Sequence, residues 1–241
     1  MTLAEILHPS CALFLDFDGT MVEIAPQPHA VEVPQPLILL LQDLHRHLQG
    51  AVAVISGRPI AQLDAFLQPL KMAAAGVHGA ERRGADGRMH LLNTHPLDHV
   101  EEAACELAAQ HPGLIVENKR GSLALHYRMA PELEALCVKT MEDAVAESPG
   151  LTLLRGKMVI EAKPGGASKG RAIEDFLEEA PFAGRKPVFI GDDVTDEAGF
   201  STVQRLGGVG IKVGEGRSVA LRRLSDPGAL RRELEAALAA R

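Results

Sequence analysis

The stretch CALFLDFDGT, residues 11–20, decides the fold, because an apolar run ends there in two aspartates one residue apart. Successive side chains of a strand point to opposite faces, so Asp16 and Asp18 leave the carboxyl end of the predicted strand on the same side. Two carboxylates that close repel each other, and a bound cation or a shared proton relieves the repulsion. Asp-Gly is also a common turn signal, so this stretch alone leaves an ordinary strand end open.

Similar apolar runs recur along the chain and alternate with helical patterns. AVAVIS (51–56) and PVFIGDD (187–193) predict buried strands, and a helix-like segment follows each of them. The leucine-rich segment 34–48 predicts the helix that connects the first two strands, and KMAAAGVHG (71–79) predicts the third strand. Strands that alternate with helices are typical of a parallel sheet covered on both faces, so we expect an α/β fold with a Rossmann-like parallel sheet core.

Between residues 95 and 164 the pattern changes to two successive units of one helix and two strands. We predict the strands in LIVEN, SLALHYR, LTLLR and KMVIEAK, and the helices at 97–110 and 131–147. The turn signals NKRG and RGK join the strands in hairpin-like pairs, which indicates antiparallel pairing. We therefore predict a discontinuous core domain, 1–94 and 165–241, interrupted by an α+β domain at 95–164.

The composition argues against several classes of function. The chain of 241 residues has a formal charge of -7 and dispersed basic residues, whereas a nucleic-acid binder concentrates its positive charge. No run reaches the roughly 18 apolar residues of a membrane span. Three widely spaced cysteines suggest neither a disulfide framework nor a zinc site. We expect a cytoplasmic monomer that acts on a small molecule, with no nucleic-acid or membrane partner.

Three further stretches stand at positions like that of Asp16. ISGR (55–58) ends a predicted strand, SKG (168–170) opens a helix, and GDDVTDE (191–197) follows a strand. Ligands of open parallel sheets bind beyond the carboxyl ends of the strands, so these stretches can converge. They combine acid clusters, a hydroxyl and a lysine, which is what phosphoryl transfer with Mg²⁺ requires. Asp16 is placed to attack phosphorus and Asp18 to exchange a proton with the leaving oxygen and with water.

DFDGT, ISGR, the Lys169 segment and GDDVTDE, in this order, resemble the four motifs of the haloacid dehalogenase superfamily of Mg²⁺-dependent phosphatases. The resemblance implies that Asp16 is the nucleophile that becomes aspartyl-phosphate and that Asp18 is the general acid/base. It also implies that Mg²⁺ is held by the Asp16 carboxylate, the Asp18 carbonyl and Asp192.

The same resemblance implies roles for five other residues of the core. Thr20 and Ser56 are expected to bind the phosphate, and Lys169 to neutralise the charge of the aspartate and the phosphoryl group. Asp193 and Asp196 are expected to lie next to the metal ligands without binding the metal themselves. These roles are expectations that follow from the resemblance and not from the spacing of the residues.

The insert narrows the resemblance further. DGTMVEIAPQP, GVHGAE, ALHYR, KMVIEAKP and GDDVTDE are similar to segments of the trehalose-6-phosphate phosphatase family, in which an α+β cap domain recognises the sugar. The similarity implies a phosphatase of trehalose biosynthesis. The distal glucose would be held by five cap residues: Glu117, Lys119, Arg128, Lys157 and Glu161.

Several alternatives stay open at this point. The five cap residues would also suit a solvated sheet face. The substrate could be sucrose phosphate or a glycosyl-phosphoglycerate, the enzyme could be a phosphomutase, and the chain could be a phosphosugar-binding regulator without turnover. GASKG (166–170) matches the GxSxG pattern of serine hydrolases but lacks the preceding strand, so we interpret Ser168 as a helix N-cap. We interpret His78 and His126 as packed or backbone-bonded residues.

Overall fold

The computed structural model describes residues 2–25, 27, 30–92, 96–119 and 121–240. Numbered in chain order, the strands are β1 (Cys11–Leu15), β2 (Val52–Ile55), β3 (Ala73–Gly76), β4 (Glu81–Arg83), β5 (Met89–Leu91), β6 (Ile115–Lys119), β7 (Ser122–His126), β8 (Leu151–Gly156), β9 (Val159–Pro164), β10 (Lys186–Gly191), β11 (Val209–Val213) and β12 (Arg222–Leu224). The helices are α1 (Leu3–Ile6), α2 (Gln35–His47), α3 (Ile60–Phe66), α4 (Asp98–Gln110), α5 (Glu134–Ala146), α6 (Lys169–Leu177), α7 (Glu197–Arg205) and α8 (Pro227–Ala239).

The chain divides into two compact units, Met1–His90 with Ser168–Arg241, and Leu91–Ala167. The sheet of the first unit has the strand order β12-β11-β10-β1-β2-β3-β4-β5. Its strands from β12 to β3 pair in parallel, and β4 pairs with β3 in the antiparallel direction. The predicted α/β fold with a parallel sheet core is confirmed.

Both faces of this parallel sheet are covered, because every residue of β1 is apolar and buried. Leu13 and Leu15 pack on one face against the cluster that contains the leucines of α2 and α8. Phe14 points to the other face, where its ring lies 5.5 Å from that of Phe182 and packs with α6 and α7. The sheet therefore has a core on each side, and its polar residues are left to the strand ends.

The second unit contains a four-stranded antiparallel sheet with the order β6-β7-β9-β8. Alternate residues, among them Leu123, Leu125 and Ile160, enter one cluster with Cys137 and Met141 of α5 and with residues of α4. The opposite face of the sheet is thereby left to the residues in between.

Three short strands and two strand ends differ from the sequence-based expectation. We did not predict β4, β5 or β12, which have three residues each and are too short for a hydrophobic pattern to indicate a strand. The predicted third strand ends at Gly76 because Val77 and His78 have positive φ angles. The predicted strand KMVIEAK begins only at Val159, since Lys157 and Met158 form the turn after β8 and Met158 has a φ of 61°.

Among the described residues, no helix is long and apolar enough to cross a membrane.

Candidate active site

Lys169 joins two aspartates at the carboxyl ends of the parallel strands. Asp16 follows β1, and Asp196 follows β10 in a short helical turn, Val194–Asp196. The Lys169 Nζ donates to Asp16 Oδ1 at 2.7 Å and to Asp196 Oδ1 at 2.6 Å. The lysine side chain is 3% exposed and those of Asp16 and Asp196 are 5% and 0% exposed, so water screens these contacts little.

Thr20 and Gly19 bring a third aspartate, Asp192, to the same place. The Thr20 Oγ1 lies 3.1 Å from Asp16 Oδ2 and 3.3 Å from Asp192 Oδ1. Gly19 has a φ of +77°, and a Cβ atom on it would lie 2.2 Å from Asp192 Oδ2. The glycine of DFDGT therefore permits both the turn and the close approach of the Asp192 carboxylate.

We call Asp16, Asp192 and Asp196 the acidic cluster, since each offers an oxygen within 4.8 Å of the others. Burial raises the pKa of Asp16 well above its ordinary value, and Asp196 and Asp192 raise it further against the opposing effect of Lys169. Burial, together with Asp196, raises the pKa of Asp192 to about 6. Burial alone would lower the pKa of Lys169, but Asp16 and Asp196 outweigh it and raise that pKa. The charge of one lysine thus offsets three carboxylates, and it contacts two of them directly.

The donor set of the acidic cluster fits a hard divalent cation, because such ions take carboxylate oxygens and relieve this repulsion. The oxygens of Asp196 are engaged, with Oδ1 bound to Lys169 and Oδ2 accepting the N–H groups of Asp192 and Asp193 at 2.9 Å each. Asp16 and Asp192 are therefore the carboxylates best suited to hold a cation.

Asp18 is paired with an arginine that the sequence analysis did not single out. The Arg58 Nε and Nη2 donate to the two Asp18 oxygens at 2.6 and 2.7 Å. The guanidinium lies 5.0 Å from the ring centre of Phe66 and 5.8 Å from that of Phe17. Arg58 is the last residue of ISGR, so its place after a strand was a signal, but the pairing with Asp18 depends on side-chain geometry.

Ser56, Asp193 and Lys212 complete the surroundings of the strand ends. Ser56 follows β2, is buried, and its hydroxyl accepts the N–H of Arg58 at 3.1 Å. The Asp193 side chain accepts the N–H of Val194 at 2.7 Å, so this aspartate caps the turn, whereas Asp196 contacts Lys169 directly. The buried Lys212 of β11, which the sequence analysis also missed, donates to the Asp192 carbonyl.

Two of the five predicted sugar ligands lie in one row of the second unit. Glu117 of β6 pairs with Ala124 of β7, and Ala124 pairs with Glu161 of β9, so the three side chains share a face. The Ser122 hydroxyl donates to Glu161 Oε1 at 2.8 Å, and the His126 Nε2 lies 2.9 Å from Glu117 Oε2. We call this the polar face of the sheet.

Of the other three predicted sugar ligands, two lie in turns, and the side chain of the third is not among the described residues. Arg128 and Lys157 are exposed in the turns that follow β7 and β8. Both are at the same end of the sheet, because the N–H of Tyr127 donates to the Met158 carbonyl at 3.1 Å. The side chain of Lys119 lies outside the described residues. Lys157 is thus a turn residue and not the strand residue that we predicted.

The interpretation of His126 as packed or backbone-bonded is corrected, since its ring meets the carboxylate of Glu117. The ring of His78 packs against Gly57, where a Cβ atom would lie 2.7 Å from it, and its N–H donates to the Ser56 carbonyl at 3.0 Å. Ser168 is the N-cap of α6 as predicted, with its side chain accepting from the N–H of Arg171.

A family model described as trehalose-phosphatase matches residues 14–226, which is most of the chain. The chain belongs to the trehalose-phosphatase family. The predicted resemblance is thereby confirmed, and the matched range includes all the candidate residues from Asp16 to Asp196.

Individual relatives of the chain carry names that agree with this family. The chain is 45% identical to the trehalose-6-phosphate phosphatase of Escherichia coli (strain K12) over 93% of this chain and 85% of the relative. It is 42% identical to a probable trehalose-phosphate phosphatase of Sinorhizobium fredii (strain NBRC 101917 / NGR234), over 84% and 77%. The structure of the C. albicans trehalose-6-phosphate phosphatase C-terminal domain matches with a TM-score of 0.86 and 22% identity, over 97% of this chain and 95% of that one, and so has the same fold.

Proposed function

We propose that the protein is a Mg²⁺-dependent phosphatase that hydrolyses trehalose 6-phosphate to trehalose and phosphate. The observation that carries the chemistry is the buried Asp16–Lys169 pair at the end of β1, with Asp18 two residues further on. The names of the E. coli and S. fredii relatives support the choice of substrate. The product would belong to trehalose biosynthesis.

In the first chemical step an oxygen of Asp16 attacks phosphorus. The bond from phosphorus to the sugar oxygen breaks, and that oxygen takes the proton of Asp18. Lys169 favours the ionised form of Asp16 and so opposes the burial and the neighbouring acids that raise its pKa. The product of this step is the aspartyl-phosphate of Asp16 and the free sugar.

In the second step water attacks the aspartyl-phosphate and Asp18 takes its proton, so that phosphate leaves and Asp16 is restored. The two hydrogen bonds from Arg58 hold the side chain of Asp18 in place for this step. In the first step Asp18 is the proton donor, so one of its oxygens has to turn from Arg58 towards the sugar oxygen. Arg58 thereby positions the acid/base group.

Mg²⁺ supplies compensation for the charge on the phosphoryl oxygens when it is bound. The carboxylates of Asp16 and Asp192 and the backbone carbonyl of Asp18 would hold it. The raised pKa values of Asp16 and Asp192 support this, because burial first and neighbouring carboxylates second disfavour their charge, which the described residues compensate only in part.

The remaining residues would bind the two ends of the substrate. Thr20, Ser56 and Lys169 would contact the phosphate, and Asp196 would hold Lys169 while Asp193 caps the turn beside it. The sugar would be recognised by the second unit through charge-assisted hydrogen bonds from Glu117, Lys119, Arg128, Lys157 and Glu161.

We also propose a cytoplasmic location and a monomeric state for the enzyme. The three cysteines are free, with Cys105 exposed and Cys11 and Cys137 buried, which supports a reducing compartment. Light scattering at several protein concentrations tests the monomer, since a mass that rises above 25.7 kDa would contradict it.

The function is tested by phosphate release from trehalose 6-phosphate, sucrose 6-phosphate, glucose 6-phosphate, glucosyl-phosphoglycerate and p-nitrophenyl phosphate, each with MgCl₂ and with EDTA. We expect the highest kcat/KM for trehalose 6-phosphate and loss of turnover in EDTA. A higher kcat/KM for another sugar phosphate would show that trehalose 6-phosphate is not the preferred substrate. Binding of these esters without any phosphate release would indicate a regulator, and transfer of phosphate to another sugar hydroxyl a mutase.

A further inference from the structure

The polar face of the second unit has a symmetric arrangement about Ala124 of β7. Glu117 and Glu161 stand directly opposite Ala124 on the two neighbouring strands. Ser122 and His126 are the residues two positions before and two positions after Ala124 on the same strand, so their side chains share its face. The small, fully buried Ala124 therefore separates two carboxylates, and a polar side chain of β7 stands on either side of it.

The contact between Ser122 and Glu161 is a buried one. The serine is 0% and the glutamate 4% exposed, and the hydroxyl donates to Oε1 at 2.8 Å. The hydroxyl proton can rotate to suit its acceptor, whereas an ionised carboxylate can only accept. The bond fixes one oxygen of Glu161, and the direction of the other oxygen follows from the planar geometry of the group.

The contact between His126 and Glu117 lies at the other end of β7 and involves the other neighbouring strand, β6. The His126 Nε2 and the Glu117 Oε2 are 2.9 Å apart, and both side chains are 27% exposed. Because the ionised glutamate has no proton to give, the ring nitrogen must carry the proton and donate it. This hydrogen bond orients the carboxylate of Glu117, just as the bond from Ser122 orients the carboxylate of Glu161. The donor is a ring N–H in the first case and a hydroxyl in the second.

We propose that Ser122 and His126 are positioning residues that hold Glu161 and Glu117 ready for the hydroxyl groups of the sugar. This inference rests on the proposed function, in which the two glutamates bind sugar. A long acidic side chain that is ordered before binding loses less conformational entropy when the ligand arrives. The gain applies to recognition of the sugar and not to attack on phosphorus, so the two residues act on KM.

The experiment compares variants that lose the donor with variants that keep one. Ser122→Ala and His126→Met remove the donor, whereas Ser122→Thr and His126→Gln retain an O–H or N–H group. KM and kcat are measured for trehalose 6-phosphate and for p-nitrophenyl phosphate. For each variant without a donor we expect KM for trehalose 6-phosphate to rise about fivefold, with kcat and the p-nitrophenyl phosphate reaction within about twofold of wild type.

Matched controls lie elsewhere in the same unit. The buried Ser148 hydroxyl donates to the Ala144 carbonyl at 2.8 Å at the end of α5, so Ser148→Ala also removes a buried hydroxyl. His99 and Glu147 form an exposed pair at 3.3 Å, so His99→Met also breaks a histidine–glutamate contact. Neither control should change KM for trehalose 6-phosphate, and Ser122→Thr and His126→Gln should restore KM to within about twofold of wild type.

The outcomes separate this inference from the proposed function. The wild-type protein alone tests the function, and the variants test the positioning. If wild type prefers trehalose 6-phosphate but the donor-free variants keep its KM, or weaken both substrates equally, the positioning roles are wrong while the function stands. If wild type prefers another sugar phosphate, the function is wrong and the same variants decide the positioning with that ester. A wild type that prefers no sugar phosphate overturns both.

Discussion

The acidic residues of the two units are compensated in different ways. In the first unit Asp16, Asp192 and Asp196 share Lys169, and the pKa values of Asp16 and Asp192 are raised. In the second unit the two glutamates of the polar face each accept a hydrogen bond from their own partner on β7.

This difference indicates a division of labour. An acidic cluster that is compensated only in part attracts a cation, and the bound cation together with Lys169 can in turn attract the negative phosphoryl group. Carboxylates that already have a hydrogen-bond donor are oriented, and oriented carboxylates suit the recognition of hydroxyl groups. The proposed function accordingly assigns the chemistry to the first unit and the choice of sugar to the second.

The largest effect is expected from removing the nucleophile. Asp16→Asn keeps the shape of the side chain and its place beside Lys169 but replaces the attacking carboxylate. We expect kcat to fall by about 10⁴-fold or more for both trehalose 6-phosphate and p-nitrophenyl phosphate, as measured by phosphate release. A variant that keeps Mg²⁺-dependent turnover would show that another residue attacks phosphorus.

A smaller effect is expected when Asp18 loses its arginine. Arg58→Met keeps an apolar side chain against Phe66 but removes both hydrogen bonds to Asp18. We expect kcat for trehalose 6-phosphate to fall about tenfold, because the acid/base group is no longer held in place. The expected loss for p-nitrophenyl phosphate is smaller, since nitrophenolate leaves without a proton. Equal losses for the two esters would contradict this role of Arg58.

The smallest effect is expected on stability, through Asp192. Its pKa near 6 instead of 3.8 means that the folded protein binds a proton between these pH values and the unfolded chain does not. The ionisation of Asp192 therefore destabilises the metal-free protein progressively as the pH rises from about 3.8 to about 6, by up to roughly 3 kcal/mol above that range. We expect Asp192→Asn to raise the free energy of unfolding by about 1–2 kcal/mol at pH 7.5 in EDTA.

The gain from Asp192→Asn should vanish near pH 4, where both proteins are neutral at this position. In saturating MgCl₂ the order should reverse, because the cation stabilises wild type more than the variant. Urea unfolding at the two pH values, with EDTA or with MgCl₂, measures both effects. A gain that does not depend on pH would mean that the charge of Asp192 is not its cause.

Much of the first unit could be predicted from the sequence because a parallel sheet brings strand ends together. Asp16, Ser56 and Asp192 each follow an apolar run, so their meeting required only the strand order. The pairing of Arg58 with Asp18 could not be predicted in this way, because it depends on the conformations of two side chains. The short strand β4 was missed for another reason, since its sequence ERR has no apolar pattern.

The second unit shows where sequence reasoning ends. The four strands were predicted, but Glu117 and Glu161 are opposite Ala124 only in one register, and a shift by one residue would turn them to the other face. The role of His126 was misjudged for the same reason, because its partner lies on a neighbouring strand. Lys157 was assigned to a strand because the next residue is a methionine, a residue type that gives no sign of the positive φ that Met158 adopts.

The division of labour between the two units is tested most directly by kcat/KM for trehalose 6-phosphate and for p-nitrophenyl phosphate, measured side by side in wild type and Glu161→Gln. The substitution keeps the size of the side chain and removes its charge from the polar face. We predict that the ratio of the two values falls about 30-fold, through a higher KM for the sugar phosphate alone. An unchanged ratio, whether both values fall or neither does, would contradict the account.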